Sequence, residues 1–396
     1  MPDPAALNLA ARVLRAVQAG TPADQALRAA LVRTRHRSAP AERRAVSRAV
    51  FAYFRWWRWL EPKDSLQKQL AAALAWQTRF DRNPAACKPE TLAARAVPDW
   101  LKTEMDPLPA AWLQQLQREP VLWIRPQQAL AGKVAAALRD CRAAALPASL
   151  PALTAYRYDG PADLFHTPAF QAGEFEIQDL ASQLVGQACA PQPGQTWWDA
   201  CAGEGGKSLH LSDLMQNQGR LWVSDRSLRR LAKLKERAAR AQMFNFRSAP
   251  WEGGAALPTK TKFDGVLVDA PCSGTGTWQR NPHARWTTQP LDVQELAAVQ
   301  LRLLTHAAPA LKPGGRLVYA VCTLTRSETT AVASAFSAAH PEFEPMPVFS
   351  FGSPTGPAPG PSTPAPVQPS SLHSQLFLWP QEIDANGMFI AAWRRR

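Results

Sequence analysis

The chain has 396 residues, of which 46% are hydrophobic and 19% charged, and its formal net charge at pH 7 is +13. A chain of this length can bury two or more separate hydrophobic cores. No apolar run approaches the roughly 20 residues that a membrane-spanning helix needs, and the first residues lack the pattern of a secretory signal. We therefore expect a cytoplasmic monomer that does not associate with membranes.

The N-terminal part of the chain is rich in Ala, Leu and Arg. Residues 1–90 contain 16 Lys and Arg against 7 Asp and Glu, an excess that fits phosphate neutralisation on a nucleic acid. A solvated, Arg-rich helical surface fits the same charge equally well. Apolar residues at helical spacing, such as Leu9, Val13 and Val17, predict a small all-α bundle over residues 1–85.

Aromatic and arginine residues interleave in FAYFRWWRWLE, residues 51–61. A surface of this kind can stack unpaired bases. Helical spacing instead places Phe51, Phe54 and Trp57 on one face. We expect a helix that buries these three rings in the core of its own bundle.

Residues 86–165 are predicted to form a linker and a small α+β segment that contacts RNA. The stretch VLWIRPQ, residues 121–127, is typical of a strand, and GKVAAALRDCRAA, residues 132–144, is typical of a helix. A change of composition follows, so we place the next domain at residues 166–396.

Short apolar strands alternate with helices from residue 196 onward, and this order predicts an α/β domain with a Rossmann-like, doubly wound parallel sheet. Ligands in such a sheet bind beyond the carboxyl ends of the strands. The segment 351–371 is rich in Pro, Gly and Ser and is expected to be a flexible surface insertion. The predicted strands are TWWDAC (196–201), RLWVSD (220–225), FNFRSA (244–249), FDGVLVD (263–269) and RLVYAVC (316–322).

A glycine-rich loop, DACAGEGGKS at residues 199–208, follows the first of these strands and opens a helix. The P-loop pattern fails because Cys201 stands where its first Gly is required. The dinucleotide pattern GxGxxG is weakened because Ser208 replaces its last Gly. The third candidate ligand is S-adenosylmethionine, whose ribose hydroxyls Asp225 would bind from the end of the next strand. Asp225 could instead cap the helix that begins near Leu228.

Two thiols follow strands that are expected to be neighbours in the sheet. Asp269 and Cys272 follow FDGVLVD, and Cys322 ends RLVYAVC, so both thiols should reach one cleft beside the cofactor loop. A buried structural cysteine is the commoner case. Two thiols beside a methyl donor suggest pyrimidine chemistry, because thiolate addition to carbon 6 makes carbon 5 nucleophilic. An adjacent carboxylic acid can absorb the change of charge at ring nitrogen 3.

These segments resemble the RsmB/Sun family of RNA cytosine-5 methyltransferases, over about residues 165–345. The N-terminal bundle resembles, less closely, the NusB-like RNA-binding domain of that family. The final segment DANGMFIAAWRRR is similar to the family's closing strand. The resemblance is carried by EFEIQDLASQL, DACAGEGGKS, VSDRSLRRL, FDGVLVDAPCSGTGTWQRNP and KPGGRLVYAVCTLTRSETT.

The resemblance implies that Cys322 is the nucleophile and that Cys272 acts in product release. Asp269 and Lys207 would also face the cytosine, whereas Glu328 occupies a position that tends to be acidic and has no assigned role. No metal is implied. The S-adenosylmethionine contacts implied by the family are Cys201, Ala202, Gly203, Glu204, Gly205, Gly206, Lys207, Asp225 and Asp269.

The chain also departs from the family pattern. Glu204 stands where the family usually has Pro, Gly203 where it has Ala, and Val321 where it has Thr. After the third strand only Glu252 could hold the adenine amine. These departures suggest an alternative, an RNA-binding protein of the same fold with weakened catalysis.

We expect an S-adenosylmethionine-dependent RNA cytosine-5 methyltransferase that acts on rRNA. A tRNA substrate is the first alternative. A methyltransferase acting on another acceptor, with both cysteines merely packing, is the second.

Overall fold

The computed structural model describes residues 4–34, 39–349 and 373–396 and divides into two compact units. Unit 1 contains Met1–Pro120 and Gly274–Pro290, and unit 2 contains Val121–Ser273 and Leu291–Arg396. The predicted division of the chain after residues 85 and 165 rests on composition and stays a prediction. The predicted insertion at 351–371 falls outside the described residues.

Unit 1 begins with the helical bundle that the sequence predicts. Its apolar stripes, including Val13, Val50 and Leu70, are buried between the helices. The helices of this part are α1 (Pro4–Gln18), α2 (Ala23–Thr34), α3 (Pro40–Arg55), α4 (Leu66–Arg82), α5 (Pro89–Arg95), α6 (Leu101–Glu104) and α7 (Ala110–Gln115).

The aromatic segment 51–61 is only partly the buried helix that the sequence predicts. Phe54 is buried, but Trp57 is 45% exposed. Helix α3 ends at Arg55, and Trp57–Trp59 forms a 3-10 turn, so the helical phase that would bury Trp57 is lost. Trp56 takes the buried place and stacks against Trp76 at 5.8 Å between ring centroids.

Unit 2 opens with a four-stranded antiparallel sheet. Its elements are β1 (Leu122–Pro126), α8 (Ala131–Ala137), β2 (Cys141–Ala143), β3 (Tyr156–Tyr158), α9 (Pro168–Gln171) and β4 (Phe175–Ile177). The strand order is β2-β3-β1-β4. The predicted strand at 121–127 is confirmed as β1, but the predicted helix at 132–144 is wrong in its second half. Residues 141–143 pair with β3 instead, because cross-strand bonding satisfies their backbone groups.

The second sheet of unit 2 is the Rossmann-like sheet that the sequence predicts. Its first half contains α10 (Leu180–Cys189), β5 (Thr196–Asp199), α11 (Gly206–Leu214), β6 (Arg220–Val223), α12 (Leu228–Arg240), β7 (Phe246–Ser248) and β8 (Phe263–Asp269). Helix α13 (Ala284–Thr287) follows within unit 1. The remaining elements are α14 (Pro290–Ala307), β9 (Leu311–Val321), α15 (Thr330–Ala339), β10 (Phe343–Pro345), β11 (Gln375–Leu378), α16 (Pro380–Ile383) and β12 (Met388–Arg395).

The strand order of this sheet is β10-β12-β9-β8-β5-β6-β7, with β11 paired to β12. The five strands from β9 to β7 are parallel, and β12 closes the sheet antiparallel to β9. The chain winds outward from β5 through β6 and β7, and then continues on the other side of β5 with β8 and β9. The switch in direction therefore lies between β5 and β8, where a doubly wound sheet binds its ligands.

Both faces of this sheet are covered. Adjacent residues of one strand point to opposite faces, so Trp197 packs in one apolar cluster and Trp198 in another. Residues of α10, α11 and α12 complete the first cluster, and residues of α14 and α15 complete the second. None of the helices in the described residues combines the length and apolar character needed to cross a membrane.

Candidate active site

Four polar side chains of unit 2 lie at the carboxyl ends of neighbouring parallel strands. Asp199 ends β5, Asp225 follows β6, Asp269 ends β8 and Cys322 follows β9. These strands are adjacent in the sheet, so their ends meet at one edge. The sheet thus brings to one edge residues as far apart in the chain as Asp199 and Cys322.

The glycine-rich loop turns sharply from β5 into α11. Gly203 and Gly205 have φ values of +55° and +90°, and Gly205 caps the helix. The main-chain N–H of Gly203 donates to Oδ2 of Asp225 at 3.0 Å, and the N–H of Ala202 donates to the Ser224 carbonyl at 2.8 Å. These bonds tie the loop to the end of β6.

Asp225 is not the N-cap of the following helix. Ser227 caps α12 by accepting from the Arg230 N–H at 3.4 Å. Asp225 instead accepts hydrogen bonds from the N–H groups of Gly203 and Ser227 and is 8% exposed. Each carboxylate oxygen keeps capacity for a further donor.

Glu204 is exposed at the tip of this loop, and its carbonyl accepts from Arg237 Nη1 at 2.9 Å. The extra carboxylate therefore lies in solvent. Glu252 follows β7 and is also exposed. No hydrogen bond described for its side chain reaches the loop. The acid that would hold an adenine amine stays unassigned.

Carboxylates dominate the electrostatics beneath the loop. Burial raises the pKa of Cys201 well above its usual value, and the nearby charges of Asp199, Asp269 and Asp225 raise it further. Cys201 is thus held as a neutral thiol beside three acids. Among the residues that the structure describes, no group of three or more His, Cys, Asp or Glu side chains is arranged to hold a metal ion.

Asp199 and Ser208 are site residues that the sequence reasoning did not select. Asp199 is 1% exposed, and its Oδ2 accepts from Ser208 Oγ at 2.6 Å. Burial raises the pKa of Asp199 to about 7, although the Ser208 hydrogen bond opposes the shift. The signal was available, since Asp199 lies near the end of the predicted strand 196–201 and is the first residue of the glycine-rich segment 199–208.

Lys207 and Asp269 form an ion pair across the switch point. Lys207 Nζ lies 2.8 Å from Asp269 Oδ2, and the two side chains are 12% and 27% exposed. Burial lowers the pKa of Lys207, but the charge and hydrogen bond of Asp269 and the neighbouring Cys322 outweigh it, so that the net pKa is raised. Lys207 is therefore an ammonium donor at neutral pH.

The two predicted thiols meet. The Sγ atoms of Cys272 and Cys322 lie 3.3 Å apart, and both side chains are partly buried. A disulfide bond would require about 2.05 Å, so these are two thiols in contact. The parallel pairing of β8 with β9 produces this meeting, since it aligns Asp269 with Ala320.

Glu328 lies behind the thiols and is fully buried. Its Oε1 accepts from the Ser273 N–H at 2.8 Å and from Gln300 Nε2 at 3.0 Å. Its Oε2 accepts from the hydroxyls of Thr323 at 2.9 Å and Thr325 at 2.8 Å, and also from the hydroxyl of Ser273. The sequence indicated an acid at this position but not these partners.

Residues 186–394 match the protein family described as 16S rRNA methyltransferase RsmB/F. The chain is 37% identical over 232 residues to the probable ribosomal RNA small subunit methyltransferase B of Bacillus subtilis strain 168, which covers 58% of this chain and 50% of that protein. The chain spans about half the length of the curated relatives it matches.

Solved structures show the same fold. The crystal structure of PH0851 superposes with a TM-score of 0.74 and 21% identity and covers 99% of both chains. A methyltransferase homolog protein from Pyrococcus horikoshii superposes with a TM-score of 0.58 and 23% identity, covering 75% of this chain and 94% of that chain. At this identity, the likeness concerns the fold.

Proposed function

Because this chain belongs to the RsmB/F family of 16S rRNA methyltransferases, we propose that it is an S-adenosylmethionine-dependent RNA cytosine-5 methyltransferase acting on ribosomal RNA. The observation that carries the proposal is the 3.3 Å contact between the Cys272 and Cys322 thiols. The strand β8 that precedes Cys272 ends at Asp269, which pairs with Lys207 of α11. The predicted alternative of merely packing cysteines gives no reason for two thiols to meet there.

The residues around the glycine-rich loop fit S-adenosylmethionine. This cofactor carries a positively charged sulfonium that supplies an electrophilic methyl group. Three acids, Asp199, Asp225 and Asp269, act on the same partly buried residue, Cys201, and Lys207 pairs with Asp269. Such a set favours a cation and opposes the phosphates of a nucleotide triphosphate. Space is also open above the loop, since a Cβ at Gly203 would meet no atom within 4 Å.

Each part of the loop has its own binding role. The backbone of residues 201–207 would hold the amino-acid end of the cofactor, with Ala202, Glu204 and Gly206 contributing main-chain groups. Asp225 would accept hydrogen bonds from the ribose hydroxyls, since the carboxylate is already fixed by two main-chain N–H groups. Preorganisation of this kind lowers the entropic cost of binding.

Cys322 is the proposed nucleophile. Its thiolate sulfur would form a bond to carbon 6 of the cytosine, and the electrons of the 5,6 double bond would then make carbon 5 nucleophilic. Asp269 and Lys207 would hydrogen-bond to ring nitrogen 3 and the exocyclic amine and so stabilise the charge that develops there. Lys207 fits a donor role, because its pKa is raised above the ordinary value.

Cys272 is proposed to act at the end of the reaction. The proton on carbon 5 must leave before the bond between Cys322 and carbon 6 can break. The Cys272 sulfur lies beside the Cys322 sulfur and is placed to assist this elimination. Loss of Cys272 would therefore trap the covalent adduct.

The basic surface of unit 1 is the proposed RNA contact. Arg33 and Arg44 are exposed and could contact phosphates, whereas Arg55 is 2% exposed and donates to Gln77 Oε1 at 2.7 Å. Arg55 is thus a structural residue rather than a phosphate ligand. A reacting cytosine inside a helix would have to be flipped or looped out.

The test compares Cys322→Ala with Cys272→Ala in a methylation assay with labelled cofactor and rRNA. Cys322→Ala should abolish methylation without an adduct, and Cys272→Ala should leave protein covalently bound to RNA. Cys141→Ala is the matched control, because Cys141 lies in the small sheet of unit 2. Normal turnover by both site variants would overturn the thiol mechanism.

The substrate needs its own experiment. Bisulfite sequencing of rRNA and tRNA from cells with and without the gene should reveal one cytosine in rRNA that loses methylation. A change confined to tRNA would replace rRNA as the substrate and leave the chemistry intact.

A further inference from the structure

Two loops carry the thiols of the candidate active site, and both are tied to one carboxylate. The loop after β8 contains Cys272 between Pro271 and Ser273. The loop after β9 begins with Cys322 and continues to Thr325. Backbone hydrogen bonds of the sheet end at the carboxyl ends of the strands, so other contacts must fix the loops beyond them.

Glu328 supplies the contacts on both sides. It accepts from the main chain and the hydroxyl of Ser273, the residue after Cys272. It also accepts from the hydroxyls of Thr323 and Thr325, of which the first is adjacent to Cys322. The Ser273 and Thr323 hydroxyls also lie 3.0 Å from each other. One buried group thus connects the neighbours of both sulfurs.

The carboxylate itself is held firmly. Gln300, on α14, donates from Nε2 to Glu328 Oε1 at 3.0 Å and to the Pro271 carbonyl at 2.9 Å. Tyr319, on β9, donates its hydroxyl to the Glu328 carbonyl at 2.6 Å. Both Gln300 and Tyr319 are fully buried. The connection between the loops therefore rests on the rigid parts of the domain.

A carboxylate suits this position because each of its partners can donate to it. Five hydrogen-bond donors face Glu328, and a carboxylate offers about four lone-pair sites on two oxygens. Burying an ionisable group is unfavourable unless hydrogen bonds compensate it. Apolar packing could provide general stability at lower cost, so an acid at this buried position points to a requirement for geometry.

We propose that Glu328 is a positioning residue that fixes the separation and orientation of the Cys272 and Cys322 thiols. This inference rests on the proposed function, in which one sulfur attacks carbon 6 and the other assists release. The hydrogen bonds of Glu328 reach the two cysteines through their chain neighbours, Ser273 and Thr323. A loop displaced by about 1 Å can lower a rate by about 100-fold.

The test uses Glu328→Ala and Glu328→Gln in the full chain. Alanine removes every acceptor and should lower kcat about 100-fold, with the KM values for RNA and cofactor changed by less than about three-fold. Glutamine should keep kcat within about ten-fold, because its oxygen can face the Ser273 N–H while two of the three hydroxyls rotate to accept from the two N–H bonds of its NH2 group. Ser273→Ala removes only one hydroxyl and gives an intermediate case should Glu328→Ala fail to fold.

A second measurement reports on the geometry of the two thiols and does not depend on catalysis. Diamide takes two hydrogen atoms from a thiol pair and forms a disulfide, and mass spectrometry of the peptide linking Cys272 to Cys322 gives its rate. This rate should fall at least about ten-fold in Glu328→Ala, and glutamine should restore it. Asp264→Asn is the matched control, since Asp264 lies at the opposite end of β8 and bonds Lys312 and the Thr196 N–H.

Each set of results either supports or overturns the positioning role of Glu328. Loss of kcat and of cross-linking in Glu328→Ala, with both kept in Glu328→Gln and Asp264→Asn, supports positioning. A normal cross-linking rate and a normal kcat in Glu328→Ala would overturn the positioning role. An equal loss of both quantities in Asp264→Asn, in proportion to its loss of thermal stability, would overturn it as well. If wild-type protein makes no 5-methylcytosine, the proposed function fails, and the cross-linking rates still judge the role of Glu328.

Discussion

Lys207 Nζ lies 2.8 Å from Asp269 Oδ2, so the helix after β5 is joined to the end of β8 across the point where the sheet changes direction. The ion pair thus joins the glycine-rich loop to the loop that carries Cys272. Because the two loops are joined, the same elements would hold both the cofactor and the cytosine.

Lys207→Met should lower kcat by about 100-fold or more, the usual contribution of a positioned acid or base. Lys207→Arg keeps the charge and should retain more activity. The raised pKa of Lys207 keeps the ammonium through neutral pH, so wild-type kcat should show no loss from its deprotonation between about pH 6 and 9. Single-turnover rates across this range provide the measurement, and a Lys207→Met variant with normal rates would remove Lys207 from the mechanism.

Asp225→Asn should weaken binding of S-adenosylmethionine about ten-fold, or about 1.4 kcal/mol, because one carboxylate oxygen becomes a donor facing donors. Isothermal titration calorimetry measures the dissociation constant directly. Glu236→Gln is the control, since Glu236 is an exposed residue of α12 that pairs only with Lys233 among the described ion pairs. Equal affinity in Asp225→Asn and wild type would contradict the ribose role.

Gly205→Ala should lower the free energy of unfolding by about 2–5 kcal/mol, since backbone strain of about 1–2 kcal/mol adds to an overpacking cost of about 1–3 kcal/mol. Gly205 has φ +90°, and a Cβ there would lie 2.7 Å from Leu234 Cγ and 2.9 Å from Leu209 Cδ1. Gly203→Ala is the matched comparison, because Gly203 has φ +55° and a Cβ there meets no atom within 4 Å. It should cost only the backbone strain, about 1–2 kcal/mol. Urea denaturation without cofactor ranks the two, and a larger loss in Gly203→Ala would refute the steric argument.

Asp199→Asn should change how stability depends on pH. The folded-state pKa of Asp199 is about 7, above the unfolded value of about 3.9. Its stabilising contribution is therefore complete below about pH 4 and is lost as the pH rises to about 7, by up to about 4 kcal/mol. Asparagine does not titrate, so the variant should gain stability relative to wild type across this range.

Denaturant titrations at several pH values measure that difference. Asp264→Asn should change the pH dependence of the free energy of unfolding in the opposite direction. Burial raises the pKa of Asp264, but hydrogen bonds from Lys312 and the Thr196 N–H lower it below its usual value. Its contribution is present above the unfolded pKa and is lost as the pH falls. A pH-independent difference between Asp199→Asn and wild type would contradict the burial argument.

Local patterns in the sequence determined much of this protein. Apolar runs of strand length alternating with helical periods predicted the parallel sheet, and the places where those strands end predicted the positions of Asp225, Asp269, Cys272 and Cys322. These features are local, because the period of apolar residues fixes which element forms and which side it buries. The sequence also predicted that the strands at 263–269 and 316–322 are neighbours, since the rules for connecting parallel strands leave few possible topologies.

Only the tertiary structure decided the rest. Residues 141–143 form a strand because β3 lies beside them, and Trp57 is exposed because α3 ends two residues earlier. The hydrogen bonds of Glu328 join two loops and a helix that are far apart in the chain. Such contacts depend on where distant backbone segments meet, and no periodicity within a short window encodes that meeting.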